Sequence, residues 1–407
     1  MTRPVVQLHN SPMREIVIIS GARTPIGRFG GVFKDLSAAA LGATAISAAL
    51  ERSGMNPASV DEVIMGNVNQ AADSGYMARK AMLAAGLPET VPAMTVNRAC
   101  SSGLEAINMA AHAIMVGEAD VVVAGGAESM SQAPYLLPAN ARFNALKMGD
   151  ATLVDTMLLS IGCPINDYPM GTTAENIAAR YAISRHDQDA LALQSHQRAV
   201  AAQHAGHFDA QITPVSVPQS RGEAIQVTQD EQPRADTSLK ALAKLRPIFK
   251  EDGTVTAGNS AGVNDAAAAV VVMSAERAEA EGLTPRLRWV GRGIAGVDPA
   301  FMGTGPVPAT RKVMERTGLT VEDMGVIELN EAFAAQALYV IRELNLDMER
   351  TNPDGSGISL GHPLGATGAI MVVKLMEELT RTDAQFALAT LCVGGGQGVA
   401  TIFERLS

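Results

Sequence analysis

Hydrophobic and polar positions fall into two textures along the chain. Glu15-Ile-Val-Ile-Ile-Ser20 is an unbroken apolar run, of the kind buried on both faces of a parallel sheet. The loop GARTPIGRFGG follows. Leu36 to Ser53 then shows a helical period, with Leu41, Ala45, Ala48 and Ala49 on its inward face. Asp61 to Asn67, DEVIMGN, reads as the next strand. Met94 to Val96 is a short apolar run that ends in a polar corner holding Cys100. After it Leu104, Ile107, Ala111, Ile114 and Met115 recur at spacings of three and four, which predicts a helix. Val121 to Ala124 reads as a buried strand closed by Gly125-Gly126. These elements make a β-α-β succession.

From Ser131 to about Asp252 the texture changes. SQAPYLLPANARFNALKMGD has no clean period and leaves its Met, Tyr and Leu residues on a loop. Gly171 to Gln203 holds two helical patterns, the second opening near Arg185-His186-Asp187. Gln219 to Asp236 is polar and turn-rich. The whole stretch reads as a long insertion. The core resumes at Val255-Thr-Ala-Gly-Asn259, and NDAAAAVVVMS predicts a helix running into a strand.

The pattern then repeats. Leu50-Glu-Arg-Ser-Gly-Met55 leads to Val63-Ile-Met-Gly-Asn67, and Met314-Glu-Arg-Thr-Gly-Leu319 leads to Val326-Ile-Glu-Leu-Asn330. Each is a helix end, a glycine cap, a turn and an apolar strand ending in Asn. Arg288-Trp-Val-Gly-Arg-Gly echoes the first strand. Gly361-His-Pro-Leu-Gly-Ala-Thr-Gly368 opens a helix (Ile370 to Leu379), followed by a strand (Phe386 to Leu391) and the turn Cys392-Val-Gly-Gly-Gly396. That order matches the one around Cys100. Duplication predicts that Cys100 and His362 hold related places in two halves and face one interface.

Composition narrows the classes. The 407 residues are 47% hydrophobic and 18% charged, enough for two or three domains around a large core. With only 4% aromatic residues and 38 glycines, the elements can pack closely. The net charge of -10 argues against nucleic acid or an anionic membrane as partner, so an anionic ligand requires a local basic patch. Three scattered cysteines, Cys100, Cys163 and Cys392, form neither a disulfide framework nor a metal motif and suggest a reduced, cytoplasmic setting. The opening MTRPVVQLHNSPM lacks a signal core and reads as a loose tail. No apolar run reaches transmembrane length.

Candidate chemistry sits at the loops. A cysteine in the first turn of a helix meets unpaired backbone N–H groups and the positive end of the helix dipole, both favouring thiolate. A lone cysteine is more often a small buried hydrophobe, but Asn97-Arg98 and Ser101-Ser102-Gly103 make its setting polar. His362, pressed between Gly361 and Pro363, suits a base of fixed orientation. Cys392 precedes glycines that can expose N–H groups as an oxyanion site, although a tight turn alone would also use them. Asn330-Glu-Ala-Phe-Ala334 sits at a strand-to-helix corner, where Asn330 can cap the helix, serve a site, or both. Two cysteines, a histidine and an asparagine suit acyl transfer through a covalent thioester. One sulfur is then the nucleophile, the histidine its base, and the other sulfur moves a carbon-bound proton. No convincing Walker or Rossmann glycine signature precedes a helix.

At these residues the chain resembles the thiolases: acetyl-CoA acetyltransferases and 3-ketoacyl-CoA thiolases, above all the broad-range bacterial beta-ketothiolases. VNRACSSGLEA is similar to the nucleophile block, and NEAFAAQA, NPDGSGISLGHPLGATGA and CVGGGQG to three further blocks in the family order. MGTTAEN, KLRP and TVTAGN add to the likeness, which runs from Glu15 to the C-terminus. The resemblance implies an α/β fold, a five-layer αβαβα core of two similar halves with an inserted loop domain. Its boundaries are a tail at 1–14, an N-terminal half at 15–130 and 253–281, a loop domain at 131–252 and a C-terminal half at 282–407. It implies that Cys100 is acylated, that His362 activates it, and that Cys392 moves the α-carbon proton. Asn330, through a water, and His362 hold the thioester oxygen as the enolate forms. The N–H groups of Cys100 and Gly394 form the oxyanion site.

The same resemblance implies coenzyme A as a substrate, with no tightly bound cofactor and no metal. Arg234 falls near the adenine and phosphate end. Leu245, Phe249, Ala257 and Ala261 fall along pantetheine, and Met170, Met302, Ala332 and Phe333 near the reacting end. Departures from the biosynthetic pattern stand at Pro169, in place of His, and at Ala261 and Ala241, in place of Ser. Pro169 resembles degradative enzymes and implies room for longer acyl chains. Ser131 to Asp150 resembles the loop that joins dimers into tetramers, so a homotetramer is expected more than a dimer. Two rivals are a decarboxylating ketoacyl synthase, which lacks the second cysteine, and a non-catalytic acyl-CoA or lipid-binding relative, which loses a catalytic residue.

Overall fold

A computed structural model describes residues 14–71, 75–143, 148 and 150–407. The expected tail therefore lies almost wholly outside the described residues, as do parts of the Ser131 to Asp150 loop.

The first strand, β1 (Ile16–Arg23), is buried along its whole length. Its side chains alternate between two cores: Ile16 and Ile18 feed one, Val17 and Ile19 the other. That two-sided burial is what its unbroken apolar run implies. Its neighbours, however, run antiparallel to it, so the expectation of a parallel setting fails for this strand. Helix α1 (Ala38–Ser53) follows, opened by the Ser37 hydroxyl, which accepts from the Ala40 N–H, and closed by Gly54 at φ 71°. Only glycine reaches that region without strain. Strand β2 (Glu62–Gly66), helix α2 (Met77–Ala84), strand β3 (Ala93–Val96), helix α3 (Ser102–Met115) and strand β4 (Val121–Ser129) complete the first unit.

The alanine-rich run NDAAAAVVVMS does not begin as a helix. It is strand throughout, β5 (Asn264–Ser274), with every residue buried. Tertiary packing overrides alanine's helix propensity here. Ala266 and Ala268 face one core while Ala267 and Ala269 face the other. Small side chains let helices approach closely from both sides.

The second unit repeats the plan. It comprises β6 (Leu287–Gly296), helix α4 (Pro306–Thr317), β7 (Met324–Leu329), helix α5 (Ala334–Leu344), helix α6 (Leu364–Thr382), β8 (Phe386–Val393) and β9 (Gln397–Arg405). In the first unit β2 pairs parallel with β4, β4 antiparallel with β5, and β5 antiparallel with β1. In the second, β7 pairs parallel with β8, β8 antiparallel with β9, and β9 antiparallel with β6. The two patterns are the same. Gly318 closes α4 at φ 73°, as Gly54 closes α1. The two sheets touch through β1 and β6, at Val17 with Arg288 and Ile18 with Leu287.

Helices α3 and α6 lie between the sheets and share one core with the inner faces of both. Helices α1 and α2 cover the outer face of the first sheet, and α4 and α5 that of the second. The layers therefore run α, β, α, β, α. Helix α6 is buried on nearly all sides, which suits a helix enclosed between two sheets. The expected Ile370 to Leu379 helix begins six residues earlier, at Leu364.

Among the described residues, the stretch between β4 and β5 adds no strand to the main sheet. It carries two helices, Met170–Arg180 and Arg185–His204, and three two-stranded sheets. No described helix is long and apolar enough to cross a membrane.

Candidate active site

Cys100 stands just ahead of α3, one residue before the N-cap Ser101, and so not within the first helical turn as expected. The polar residues around it build the turn. The Asn97 side chain accepts from the Ala99 N–H at 2.9 Å, the Ser101 hydroxyl donates to the Arg98 carbonyl at 3.0 Å, and the Ser102 hydroxyl donates to the Ala99 carbonyl at 2.6 Å. They hold Ala99 at φ 42°, an uncommon conformation for a residue with a Cβ. The helix start does not lower the thiol pKa. Burial pushes Cys100 up to about 11 and the charge of Glu128 adds to this, while N–H groups of Gly394 and of Cys100 itself pull the other way. The sulfur rests as a thiol and needs a base.

His362 lies between the short helix Gly357–Leu360 and α6. It is buried, and burial alone lowers its pKa to about 4, so its ring is neutral near neutral pH. Its hydrogen bonds assign the tautomer. The Thr367 hydroxyl donates its one proton to the Pro363 carbonyl at 3.1 Å. It therefore accepts from His362 Nδ1–H at 2.7 Å, which leaves the Nε2 lone pair to receive a proton. The Asn330 amide nitrogen faces Nε2 at 3.4 Å. Asn330 does not cap a helix, because α5 begins at Ala334 with Phe333 at its N-cap position.

Cys392 is fully buried in an apolar cluster with Met302 and Ala332, with Met170 and Phe333 against it. Burial, together with the nearby Cys100, holds its thiol well above the ordinary range. Gly394 lines the cavity with Cys100, and the N–H groups of Gly394 and of Cys100 itself favour the thiolate form of the Cys100 sulfur.

A cavity of about 890 Å³ holds Cys100, His362 and Gly394 in its wall. Arg234, Phe249, Ala257, Ala261, Met170, Met302, Ala332 and Phe333 line it too. Leu245 does not. It packs over Gly258, where an added Cβ would lie 2.5 Å from Leu245 Cδ1, and stays 38% exposed. Ser260 lines the cavity, yet its hydroxyl donates to the Thr256 carbonyl at 2.7 Å. Val68, Met130, Leu136, Leu159, Ile161 and Pro169 make much of the remaining wall apolar, with Asn69, Gln70, Thr156 and Ser160 among them. At the mouth, the Arg234 N–H donates to His196 Nδ1 at 3.3 Å. Burial, with Arg234 and Arg28, lowers the pKa of His196 to about 4.

Three residues at the site were not singled out in the sequence: Thr367, Asn264 and Glu128. Asn264 accepts the His362 backbone N–H at 2.9 Å. Glu128 accepts the N–H of Gly365 at 2.8 Å. For Asn264 and Glu128 the only signal lies in Gly361 and Gly365 opposite them, since a contact across many residues of chain leaves no local period.

Comparison with known proteins bears on this geometry. The family model described as "Thiolase, N-terminal domain" matches residues 16–276, and "Thiolase, C-terminal domain" matches 283–405. The chain is 53% identical over 395 residues to beta-ketothiolase BktB of Cupriavidus necator, covering 97% of this chain and 100% of that one. It is 50% identical to an acetyl-CoA acetyltransferase of Pseudomonas aeruginosa, again over 97% of this chain and 100% of the other. The solved structure of the Bacillus anthracis acetyl-CoA acetyltransferase superposes with a TM-score of 0.94 at 46% identity, covering 97% and 99% of the two chains. That of human mitochondrial 3-ketoacyl-CoA thiolase in complex with CoA gives 0.93 at 43% identity, covering 98% and 100%.

Proposed function

This chain belongs to the thiolase family, and we propose that it cleaves 3-ketoacyl-CoA with CoA into two acyl-CoAs, and runs the reverse Claisen condensation, through an acyl-enzyme on Cys100. The observation that carries the reading is the setting of that sulfur. The backbone N–H groups of Gly394 and Cys100 favour its thiolate, and a neutral histidine with its Nε2 lone pair available shares its cavity. Non-catalytic binding is not favoured, and the buried Cys392 speaks against a decarboxylating synthase.

In this reading His362 Nε2 takes the Cys100 proton, and the sulfur attacks the thioester carbonyl. The Cys100 and Gly394 N–H groups stabilise the oxyanion. Coenzyme A leaves as the thiol with the Cys392 proton, so His362 keeps the Cys100 proton at Nε2 and Cys392 stands as the thiolate. In condensation the Cys392 thiolate removes an α-proton from the second acyl-CoA, with Asn330 and the Nε2–H of His362 holding its thioester oxygen. The new carbon bond forms as the Cys100 sulfur leaves, and His362 returns its proton to that sulfur. Thiolysis reverses each step.

Coenzyme A binds along the cavity, with Arg234 toward the phosphates. Phe249, Ala257 and Ala261 run along pantetheine, with Leu245 beside them, and Met170, Met302, Ala332 and Phe333 surround the reacting carbons. The cysteines are unpaired, in keeping with a reducing cytoplasm. The stretch 131–252 acts as the loop domain on the two halves. Tyr135, Leu137, Phe143, Met148 and Leu153 on it are exposed, which supports a tetramer built through this loop. Pro169 and the apolar part of the cavity wall favour acyl chains longer than four carbons. Thiolysis across a chain-length series, with acetyl-CoA followed by mass spectrometry, tests the reading. Turnover extending past the four-carbon substrate is expected. A strict four-carbon preference removes the role given to Pro169, and no thiolysis at any length removes the function.

A further inference from the structure

Two buried side chains of the N-terminal half hold the loop that carries His362. Asn264 begins β5 and is fully buried. Its carbonyl oxygen accepts the His362 N–H at 2.9 Å, and its amide donates to the Gly27 carbonyl at 3.0 Å. Glu128 lies near the end of β4 and is 1% exposed. Its carboxylate accepts four N–H groups. One comes from Gly365 at 2.8 Å, one from Val68 at 2.9 Å, one from Asn69 at 3.1 Å and one from the Asn67 side chain at 3.0 Å. No cation pairs with it among the described residues. β4 and β5 are neighbours, with Ala266 opposite Glu128, so both grips lie at one end of the sheet.

The glycines flanking the base fit these grips. A Cβ on Gly361, at φ 108°, would lie 2.5 Å from Asn264 Cγ. A Cβ on Gly365 would lie 2.7 Å from Glu128 Oε2 and 2.8 Å from Asn67 Cα. In the stretch Gly361-His-Pro-Leu-Gly365 each glycine thus lets one gripping side chain reach the backbone. Val68 and Asn69, held by the same carboxylate, line the cavity.

We propose that Asn264 and Glu128 are positioning residues that fix the His362 imidazole against the cavity wall across the two halves. The proposal rests on reading His362 as the base. Neither residue touches the reacting atoms; both act through the backbone of the loop. In its ionised form the carboxylate only accepts, and all four N–H groups around it only donate; burial raises its pKa to about 7 against the pull of those N–H groups. A displacement of about 1 Å at a catalytic group costs roughly 10²-fold in rate.

A double-mutant cycle on single-turnover acylation of Cys100 by acetyl-CoA tests this. Glu128→Gln turns one acceptor into a donor facing N–H groups, and acylation should slow by about 10²-fold while the KM for acetyl-CoA stays within a few-fold. Added to His362→Asn, it should cost nothing further, because its effect passes through the missing base. Losses that multiply in the double variant would overturn the proposal, as would an unchanged rate in Glu128→Gln. Asn264→Asp keeps an acceptor for the His362 N–H and, protonated, a donor for Gly27. It should retain most of the rate that Asn264→Ala loses; equal losses would contradict the proposal even if Glu128→Gln fails to fold. If His362→Asn itself acylates at the normal rate, the base assignment has failed rather than the grip.

Discussion

Replacing Thr367 with Val keeps the shape of the side chain and removes its hydroxyl. In the native protein that hydroxyl gives its proton to the Pro363 carbonyl and accepts His362 Nδ1–H at 2.7 Å. In the variant the Nδ1–H is a buried donor without a partner, which costs about 1–3 kcal/mol. The ring relieves that cost by moving the proton to Nε2 or by rotating, and either change withdraws the lone pair from Cys100. At about 1.36 kcal/mol per decade, the acylation rate should fall by roughly 5- to 150-fold. The cavity wall at Phe249 and Arg234 is untouched, so KM for acetyl-CoA should change little. The assay is rapid-quench acylation of Cys100 by acetyl-CoA, followed by intact mass. Thr367→Ser restores the hydroxyl and should recover most of the rate. Native acylation in Thr367→Val would refute the tautomer assignment, and so would a loss that Thr367→Ser does not repair.

Two further predictions concern the second sulfur and pH. Cys392→Ser should still acylate at Cys100 but turn over slowly in either direction; normal turnover would end its role in moving the α-proton. His196 has a folded pKa of about 4, below the ordinary value of 6.5. The unfolded chain therefore binds more protons between these values, so this contribution is complete above pH 6.5 and is lost as pH falls toward 4. By about pH 5 the loss approaches roughly 2 kcal/mol. Melting temperatures of His196→Gln should accordingly fall less steeply with acid than those of the native protein, and parallel curves would contradict the shift.

The duplication was readable because it rests on local signals. Helix end, glycine, turn and strand recur with the same spacing at Gly54 and Gly318, and both glycines adopt the same left-handed cap. The four chemical positions, Cys100, Asn330, His362 and Cys392, stood out because each interrupts an apolar or helical pattern at an element's edge. What the pattern misjudged was decided by distant contacts. Asn264 to Ser274 looked like a helix running into a strand by its alanines, yet it is strand throughout, lying between β1 and β4 with both faces packed in the core. The activation expected for Cys100 took account of the helix start but not of burial or of Glu128, whose effects win. Thr367 was hidden for a different reason: it reads as an ordinary residue in the first turns of α6, and its role depends on which proton it has already given away.

The central claim is that Cys100 carries the acyl group, and intact mass after incubation with acetyl-CoA in the absence of free CoA tests it most directly. The native protein should gain the mass of one acetyl group, mapped by peptide digestion to the segment holding Cys100, and lose it when CoA is added. Cys100→Ser should gain none. Persistent acetylation of that variant, or an acetyl group mapped to Cys392 in the native protein, would contradict the account.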